Sequence, residues 1–293
     1  MLNIDNLKNK MSKTSKPVKS DIYKKHYYLK AFGDSLDEYL KSLTSGNLDN
    51  RFAEVFRLAG LKEGERVLDI GCGRGELLYF SLLKGASSVV GIDYSEAALS
   101  IAKKAIKTLP KDLQDKARLL RQDISLLKLE DKYDCCFLTD VVEHLTQSQL
   151  EYLFSELKEH LSERGRIIIH TAPNINWIRF EYPLKRFFTI PATIIKRLRK
   201  KKSYSPPEGG SFLKRILSYL DLYYRRDYYN YSPHMHINEQ SPASLKRLLK
   251  SFDFDFKIWC EDGSSNIISI ICKRFWGPDI WAIVRKKSEY YKR

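Results

Sequence analysis

The sequence predicts an α/β fold: a mostly parallel, doubly wound sheet with helices on both faces and an antiparallel hairpin at its end. Short apolar runs of strand length alternate with helical stretches from residue 51 to about residue 175. This alternation gives right-handed crossovers and therefore parallel strands. The last two apolar runs are joined by Asp262-Gly263, a turn short enough for an antiparallel pair.

The elements are predicted in order along the chain. The first helix, in 52–60, ends at Gly60 because glycine readily adopts the left-handed conformation. Ser241 caps a later helix, and Pro242 occupies its first turn. The predicted strands are ERVLDIG, SVVGID, ARLLRQD, YDCCFLTD, RIIIHTA, FDFKIWCED and NIISIICKR; the helices between the first five are ELLYFSLLKG, SEAALSIAKKAIKTL and TQSQLEYLFSELKEHLSE.

Composition divides the chain into five segments. They are a basic N-terminal tail with a cap helix (1–50), a ligand-binding core (51–175), a basic, tyrosine-rich helical insertion that acts as a lid (176–235), the end of the core with its hairpin (236–275), and a basic C-terminal tail (276–293).

The net charge of +15 is unevenly distributed over the 293 residues. Residues 1–30 carry +6, residues 176–230 carry +9 and residues 281–293 carry +4, while the remainder sums to −4. Basic appendages around a mildly acidic core suit an anionic partner such as a phospholipid surface or nucleic acid. No secretory signal, membrane-spanning run or Cys-x-x-Cys pair is present, so we expect a cytoplasmic protein that could lie on a membrane surface.

The stretch VLDIGCGRGEL indicates which ligand the core binds. Its glycines follow the spacing G-x-G-x-G, whereas a dinucleotide site needs G-x-G-x-x-G and a phosphate loop needs Gly-Lys-Ser/Thr. Asp93 closes the next strand, where a carboxylate can accept hydrogen bonds from ribose hydroxyls. Asp123 closes the third strand and can bond an adenine amino group. These features favour an adenosyl group attached to a cationic amino acid.

The sequence resembles the class I S-adenosylmethionine-dependent methyltransferases, and in particular the ubiquinone-biosynthesis type of O-methyltransferase. VLDIGCGRG, GIDYS, RQDI, DVVEHL and GRIIIHTAPN stand in the family's order. The resemblance implies a Rossmann-like core and S-adenosylmethionine as cofactor. The residues that it implies for cofactor binding are Asp69, Gly71, Cys72, Gly73 and Gly75 near the methionine end, Asp93 and Tyr94 at the ribose, Asp123 and Ile124 at the adenine, and Asp140 and Val141 at the floor of the pocket.

The segment DVVEHL bears on the chemistry. It lacks the Asn/Asp-Pro-Pro-aromatic pattern of DNA amine methyltransferases, so an oxygen acceptor is favoured. The resemblance extends to small-RNA 2′-O-methyltransferases, in which this segment and a later histidine can hold a divalent cation. Three roles stay open for the acids and histidines. Asp140, Glu143, His144 and His236 could bind Mg²⁺; Glu143 with His144 or His236 could act as a metal-free general base; or they could cap helices and bond backbone.

The insertion bears on the acceptor. It contains eight of the 18 tyrosines and a cationic run from Lys196 to Lys202. Such a segment could bind an anionic membrane surface through 176–230, which favours a small-molecule, lipid-like or glycan hydroxyl as acceptor. RNA 2′-O-methylation is an alternative, although no separate RNA-binding module is present. A further alternative is a non-catalytic docking protein that keeps the fold. The sequence does not give the oligomeric state.

Overall fold

The computed structural model describes residues 17–19, 23–181, 235–261 and 277–287. Seven strands form one sheet in the order β3-β2-β1-β4-β5-β7-β6. Their bounds are β1 Arg66–Ile70, β2 Ser88–Asp93, β3 Ala117–Arg121, β4 Tyr133–Thr139, β5 Leu161–Thr171, β6 Phe254–Glu261 and β7 Asp279–Lys286. Strands β1 to β5 pair in parallel, and β7 lies antiparallel between β5 and β6. The predicted doubly wound, Rossmann-like α/β fold is confirmed.

The helices are α1 Lys25–Leu29, α2 Leu36–Thr44, α3 Asn50–Ala59, α4 Glu76–Leu83, α5 Glu96–Ile106, α6 Lys111–Gln114, α7 Gln147–His160 and α8 Pro242–Ser251. As predicted, α3 ends at Gly60 in the left-handed conformation, and Ser241 caps α8 with Pro242 in its first turn. A single 3₁₀ turn, Val142–His144, follows β4, and a short π-helix spans Trp177–Glu181.

The core has two layers because successive side chains of a strand point to opposite faces of a sheet. Leu68 and Ile70 of β1 belong to the layer that contains Leu150 and Phe154 of α7. Val67 belongs to the opposite layer, which contains side chains of α2, α3, α4 and α5. Both faces of the central strands are therefore buried, as their nearly continuous apolar sequences require.

The terminal antiparallel pair differs from the prediction in its second strand. We expected residues 266–274 to pair with β6, but that segment lies outside the described residues. The strand beside β6 is β7, with Trp259 opposite Trp281, and it lies inside the segment expected to be a basic tail. The sequence DIWAIVRK can fill this position because Ile280, Ala282 and Val284 enter one core layer and Trp281 enters the other.

The insertion lies almost entirely outside the description, which stops at residue 181 and resumes at residue 235. Its predicted role as a lid, its predicted contact with a membrane surface through 176–230 and the RNA alternative therefore stay predictions. In the described portion of the chain, no helix combines the length and the apolar character needed to cross a bilayer.

Candidate active site

The glycine turn lies between β1 and α4, at the carboxyl end of the sheet. Gly71, Gly73 and Gly75 all have positive φ, at 70°, 51° and 86°. A Cβ on Gly71 would lie 2.4 Å from Val141 Cγ2, so the missing side chain lets the turn approach the segment after β4. The strand order reverses between β1 and β4, and ligands of doubly wound sheets bind beside such a point.

Two buried carboxylates flank this turn. Asp93 at the end of β2 accepts hydrogen bonds from the backbone N–H groups of Gly73 and Ser95, at 3.0 and 2.8 Å. Burial raises the pKa of Asp93, and these backbone donors offset part of that effect. Asp69 at the end of β1 is almost fully buried, and burial together with the charges of Glu76 and Asp93 raises the pKa of Asp69 well above its ordinary value.

The turn opens into a cavity of about 360 Å³, within the size range of small-molecule sites. Among the predicted cofactor residues, those that line it are Asp69, Gly71, Cys72, Gly73, Asp93, Tyr94, Asp123, Ile124, Asp140 and Val141. Gly75 lies behind the turn, where its Cβ position would be 3.0 Å from Ala102 Cβ. Of the predicted catalytic residues, His144 lines the cavity, whereas Glu143 and His236 do not.

The carboxylate of Asp140 is held between two cationic side chains. Its backbone adopts φ +56°, and its oxygens meet His170 Nδ1 at 2.6 Å and Arg51 Nη1 at 2.5 Å. Burial alone would raise the pKa of Asp140, but His170 and Arg51 lower it to about 2. Burial alone would lower the pKa of His170, but Asp140 and, to a smaller extent, Asp279, whose carboxylate lies 3.7 Å from His170 Nε2, raise it to about 9. His170 is thus an imidazolium at neutral pH.

A second acid–histidine group begins at Glu143, three residues after Asp140. Glu143, His144 and His236 each offer a ligand atom, and these atoms all lie within 4.8 Å of one another. Glu143 Oε2 accepts a hydrogen bond from Thr171 Oγ1 at 2.6 Å, and Glu143 Oε1 lies 3.9 Å from His144 Nε2. Burial raises the pKa of Glu143.

The histidines of this group are fixed by the segment that follows the insertion. His144 Nδ1 lies 2.8 Å from the carbonyl oxygen of Met235, which can only accept, so this nitrogen carries the proton and Nε2 is left as an acceptor. The backbone N–H of Asn238 donates to the Glu143 carbonyl oxygen at 3.0 Å. That bond brings His236 beside His144, with 4.7 Å between ring centroids.

The structure therefore separates the four residues that one of the three open roles, metal binding, placed together. It brings Glu143, His144 and His236 together, while Asp140 is bound to Arg51 and His170 instead. The physical reason is that Arg51 and His170 give the Asp140 carboxylate two short, charge-assisted contacts. Within the described ranges 23–181 and 235–261, the residues whose ligand atoms converge are thus Glu143, His144 and His236.

The N-terminal segment contributes residues that the sequence did not single out. Tyr23, Tyr27 and Tyr28 line the cavity. The Tyr23 carbonyl oxygen accepts a hydrogen bond from Ser95 Oγ at 3.0 Å, and the Tyr28 carbonyl accepts one from Arg74 Nη1 at 2.8 Å. The signal available in the sequence was YKKHYYLK, where tyrosines interrupt an otherwise polar tail.

The charges that line the cavity favour a cationic ligand. Five carboxylates line it against two guanidinium groups: Asp69, Glu76, Asp93, Asp123 and Asp140 against Arg51 and Arg74. The two arginines are paired, with Asp140 at 2.5 Å and with Glu76 at 2.5 Å. The remaining acids can accept hydrogen bonds from hydroxyl or amino groups and attract positive charge. An adenosyl group bearing a sulfonium and an ammonium fits these residues.

Two curated methyltransferases are similar to the chain over about half of its length. The ubiquinone biosynthesis O-methyltransferase of Schizosaccharomyces pombe is 31% identical over 138 residues, which are 47% of this chain and 48% of that protein. The ribosomal protein L11 methyltransferase of Lactobacillus gasseri is 32% identical over 146 residues, 48% of this chain and 43% of that protein. The chain thus spans about half the length of these curated relatives.

A solved structure from Listeria monocytogenes has a similar fold. That protein is proposed to be an S-adenosylmethionine-dependent methyltransferase; the comparison gives a TM-score of 0.51 and 15% identity, and covers 81% of this chain and 98% of the other. The family model described as "Methyltransferase domain" matches residues 43–257, which include every described strand except β7 and the end of β6. The chain therefore belongs to the methyltransferase domain family.

Proposed function

We propose that the protein is an S-adenosylmethionine-dependent O-methyltransferase whose acceptor is the hydroxyl group of a small or lipid-like molecule. The observation that carries this proposal is the arrangement along one cavity. The glycine turn and Asp93 form one part of its wall, and His144, backed by Glu143 and His236, forms another. A cofactor site and a proton-accepting group thus open into the same space, as transfer to a hydroxyl requires.

The cofactor would bind as the family resemblance implies. Asp93 would receive the ribose hydroxyls, since it lines the cavity beside the turn and a carboxylate can accept about four hydrogen bonds in all. Asp123 and Ile124, after β3, would contact the adenine, and Asp69 would lie near the methionine end. The acidic lining supports this placement because the ligand is a cation.

His144 would take the acceptor's proton. When bound, the cofactor would supply an electrophilic methyl carbon for the acceptor oxygen and a neutral thioether as the leaving group, which keeps the electron pair of the carbon–sulfur bond. His144 accepts the hydroxyl proton on Nε2, because the Met235 carbonyl holds the other ring nitrogen protonated. Glu143, 3.9 Å from that nitrogen, stabilises the imidazolium that forms.

A metal ion is the competing role for the same three residues. The donor set of two imidazoles and one carboxylate suits a transition metal better than Mg²⁺, which was one of the roles left open by the sequence, because Mg²⁺ prefers all-oxygen sites. The bond from His144 Nδ1 to Met235 is the outer-shell contact usual for a metal-binding histidine. Glu143, His144 and His236 would hold the ion, which would lower the pKa of the acceptor hydroxyl.

Elemental analysis of the purified protein decides between these roles. A metal-assisted reaction requires a near-stoichiometric transition metal and loses activity in EDTA. A general-base reaction retains full activity in EDTA. Glu143→Gln should remove bound metal in the first case, whereas the exposed Glu159→Gln should leave it in place.

The acceptor class rests on two further observations. One relative is named an O-methyltransferase of ubiquinone biosynthesis. The insertion combines cationic runs with tyrosines, which supports a membrane-surface position for the protein at the cytoplasmic side. The relative named for ribosomal protein L11 points to a protein acceptor instead, so the acceptor has to be identified directly.

The experiment is to incubate the protein with isotope-labelled cofactor and separated lipid, small-molecule, RNA and protein fractions of a cell extract. Mass spectrometry then locates the label. We expect it in a lipid or small-molecule hydroxyl, and none with Asp93→Ala, while the exposed Asp37→Ala on α2 retains transfer. Label confined to RNA or protein would contradict the acceptor class. Absence of affinity for the cofactor and its demethylated product would leave a docking protein as the better interpretation.

A further inference from the structure

Asn238 makes two hydrogen bonds to the turn that contains His144. Its backbone N–H donates to the carbonyl oxygen of Glu143 at 3.0 Å, and its side-chain Nδ2 donates to the carbonyl oxygen of Leu145 at 2.9 Å. Glu143 and Leu145 are the two chain neighbours of His144. A single residue, 93 positions after Leu145, therefore binds the backbone on both sides of His144.

The turn's own hydrogen bonds leave these two carbonyl groups to Asn238. Val142–His144 is a single 3₁₀ turn, and its internal backbone bonds end on the carbonyl oxygens of Val141 and Val142, at 3.0 and 3.4 Å. Short 3₁₀ segments are held weakly by such bonds, and shielded carbonyl groups need donors from elsewhere in the protein. The position of the turn thus depends on the two bonds from Asn238.

The segment that contains Asn238 also holds the ring of His144. The carbonyl oxygen of Met235 lies 2.8 Å from His144 Nδ1. Gln240 stabilises the same segment, since its Nε2 donates to the carbonyl oxygen of Asn238 at 2.8 Å. The backbone and the ring of His144 are therefore bound by one short stretch of chain, and a shift of the turn relative to Asn238 also shifts the ring relative to Met235.

Asn238 can act on the reaction only through His144 and its neighbours. His144 lines the cavity, whereas Asn238 does not. The bond from Nδ1 to Met235 selects the tautomer of His144 in which Nε2 carries no proton. Both roles considered for His144 require this tautomer, because a general base accepts the hydroxyl proton on Nε2 and a metal ion would bind the same nitrogen.

We propose that Asn238 is a positioning residue for methyl transfer, because its two hydrogen bonds hold His144 against the carbonyl oxygen of Met235. This inference rests on the proposed function, and it is the same whether His144 acts as a base or as a metal ligand. Loss of the side-chain bond releases the Leu145 carbonyl and lets the imidazole leave Met235. The transfer then slows, while cofactor binding, which uses the glycine turn, is retained.

The first test measures transfer and cofactor binding separately in Asn238→Ala and Asn238→Asp. Both substitutions remove the side-chain donor, and aspartate keeps the shape of asparagine. With saturating S-adenosylmethionine, single-turnover transfer of label to the extract fraction that the wild type methylates should fall about 10- to 100-fold. The affinity for S-adenosylmethionine, measured by calorimetry, should stay within about twofold of the wild type.

Gln114→Ala is the matched control for these variants. Gln114 Nε2 also donates to a backbone carbonyl, that of Leu109 at 2.7 Å, but Gln114 lies on α6 and is not among the residues that line the cavity. Gln114→Ala should therefore keep both the transfer rate and the cofactor affinity of the wild type.

The second test observes the tautomer of His144 directly. Long-range proton–nitrogen NMR correlations of the full chain show which ring nitrogen carries the proton, and His144→Gln assigns the signals by their loss. The wild type should show His144 protonated on Nδ1, and Asn238→Ala should show a mixture of both tautomers. His160, whose Nδ1 lies 2.9 Å from the carbonyl oxygen of Asp131, should keep its tautomer in both proteins.

The outcomes separate the inference from the function on which it rests. An unchanged His144 tautomer or an unchanged transfer rate in Asn238→Ala overturns the inference. So does a cofactor affinity that falls in parallel with the rate, which would indicate a general structural role, or a rate that falls in Asn238→Asp alone, which would indicate an effect of the added charge. A wild-type protein that neither binds the cofactor nor labels any fraction overturns the proposed function instead, and the NMR comparison still shows whether Asn238 fixes His144.

Discussion

The acids of two acid–histidine groups, Asp140 and Glu143, lie three residues apart after β4, and the two groups differ in electrostatic character. Asp140 is paired with an imidazolium, His170, and with a guanidinium, Arg51. Glu143 instead accepts a hydrogen bond from Thr171, and His144 lies 3.9 Å away. The pKa of Asp140 is lowered to about 2, and that of Glu143 is raised by burial.

Asp140 and Glu143 are close in sequence, but their different surroundings give the two carboxylates different roles. The first group is electrically compensated inside the protein, so it should contribute chiefly to stability. The second group is buried without such compensation, and its ligand atoms converge, which leaves it able to bind a proton or a cation. We therefore expect substitutions in the first group to change the free energy of unfolding and those in the second to change the rate.

The largest expected effect is on the rate of methyl transfer by Glu143→Gln. The amide cannot stabilise the His144 imidazolium or bind a metal, so transfer to the identified acceptor should fall about 1000-fold, or ~4 kcal/mol. Single-turnover assays with labelled cofactor measure this loss. The free energy of unfolding should change by less than about 1 kcal/mol, because the amide is neutral at a site where a charge is costly. Activity within about threefold of wild type would remove Glu143 from the reaction.

The next effect concerns the stability of the first group. Asp140→Asn should lower the free energy of unfolding by about 3 kcal/mol, because it removes the closer carboxylate of the buried His170, at 2.6 Å, and leaves Asp279 at 3.7 Å. Asparagine tolerates the left-handed backbone at this position, so the substitution tests charge rather than strain. Urea denaturation measures the change. If Asp140→Asn proves as stable as wild type, the assignment of the first group to stability is wrong.

Most of the fold was predictable because it depends on local pattern. Alternating strands and helices, the spacing of Gly71, Gly73 and Gly75, and the caps at Gly60 and Ser241 all follow from short stretches of sequence. The order of the sheet's last strands could not be predicted, because DIWAIVRK and NIISIICKR are both apolar enough to pair with β6. The local pattern does not state which run will be the neighbour of β5.

Residues of the candidate site could be predicted only where a single short segment of sequence contains both the residue and the pattern that indicates its role. His170 stands in a predicted strand, but its partnership with Asp140 depends on the register that aligns Thr139 with His170 across β4 and β5. Tyr27 is likewise recognisable only once Arg74 and Ser95 hold the N-terminal segment over the turn. Contacts between distant segments carry this information, and no local pattern contains it.

The pH dependence of stability gives a smaller effect. The pKa of His170 rises from about 6.5 to about 9 on folding, so its contribution is full below pH 6.5 and is lost as the pH rises through 9. The contribution of Asp140, whose pKa is lowered to about 2, is present above pH 3.8 and is lost only in strong acid. The pair is therefore strongest between about pH 4 and pH 6.5.

His170→Gln should remove that dependence. The stability difference between wild type and His170→Gln should shrink by about 2.5 kcal/mol between pH 6.5 and pH 9, which urea denaturation at a series of pH values measures. His160→Gln, a half-buried histidine whose ring bonds a backbone carbonyl, is the matched control. A difference that stays constant over this range would show that His170 is neutral in the folded protein.

The smallest effect separates the two cations that hold Asp140. Arg51 is 40% exposed, so solvent screens its pair with Asp140 and Arg51→Gln should cost about 1 kcal/mol in the free energy of unfolding. Arg57→Gln on the same helix, α3, removes a pair with Glu54 at the surface and should have no measurable effect. If Arg51→Gln costs as much as Asp140→Asn, then the guanidinium rather than the imidazolium stabilises the carboxylate. We expect Asp140→Asn to cost much more than Arg51→Gln. This order would assign most of the compensation of Asp140 to His170, because His170 is buried and its pair with Asp140 is not screened by water, whereas the pair with Arg51 is.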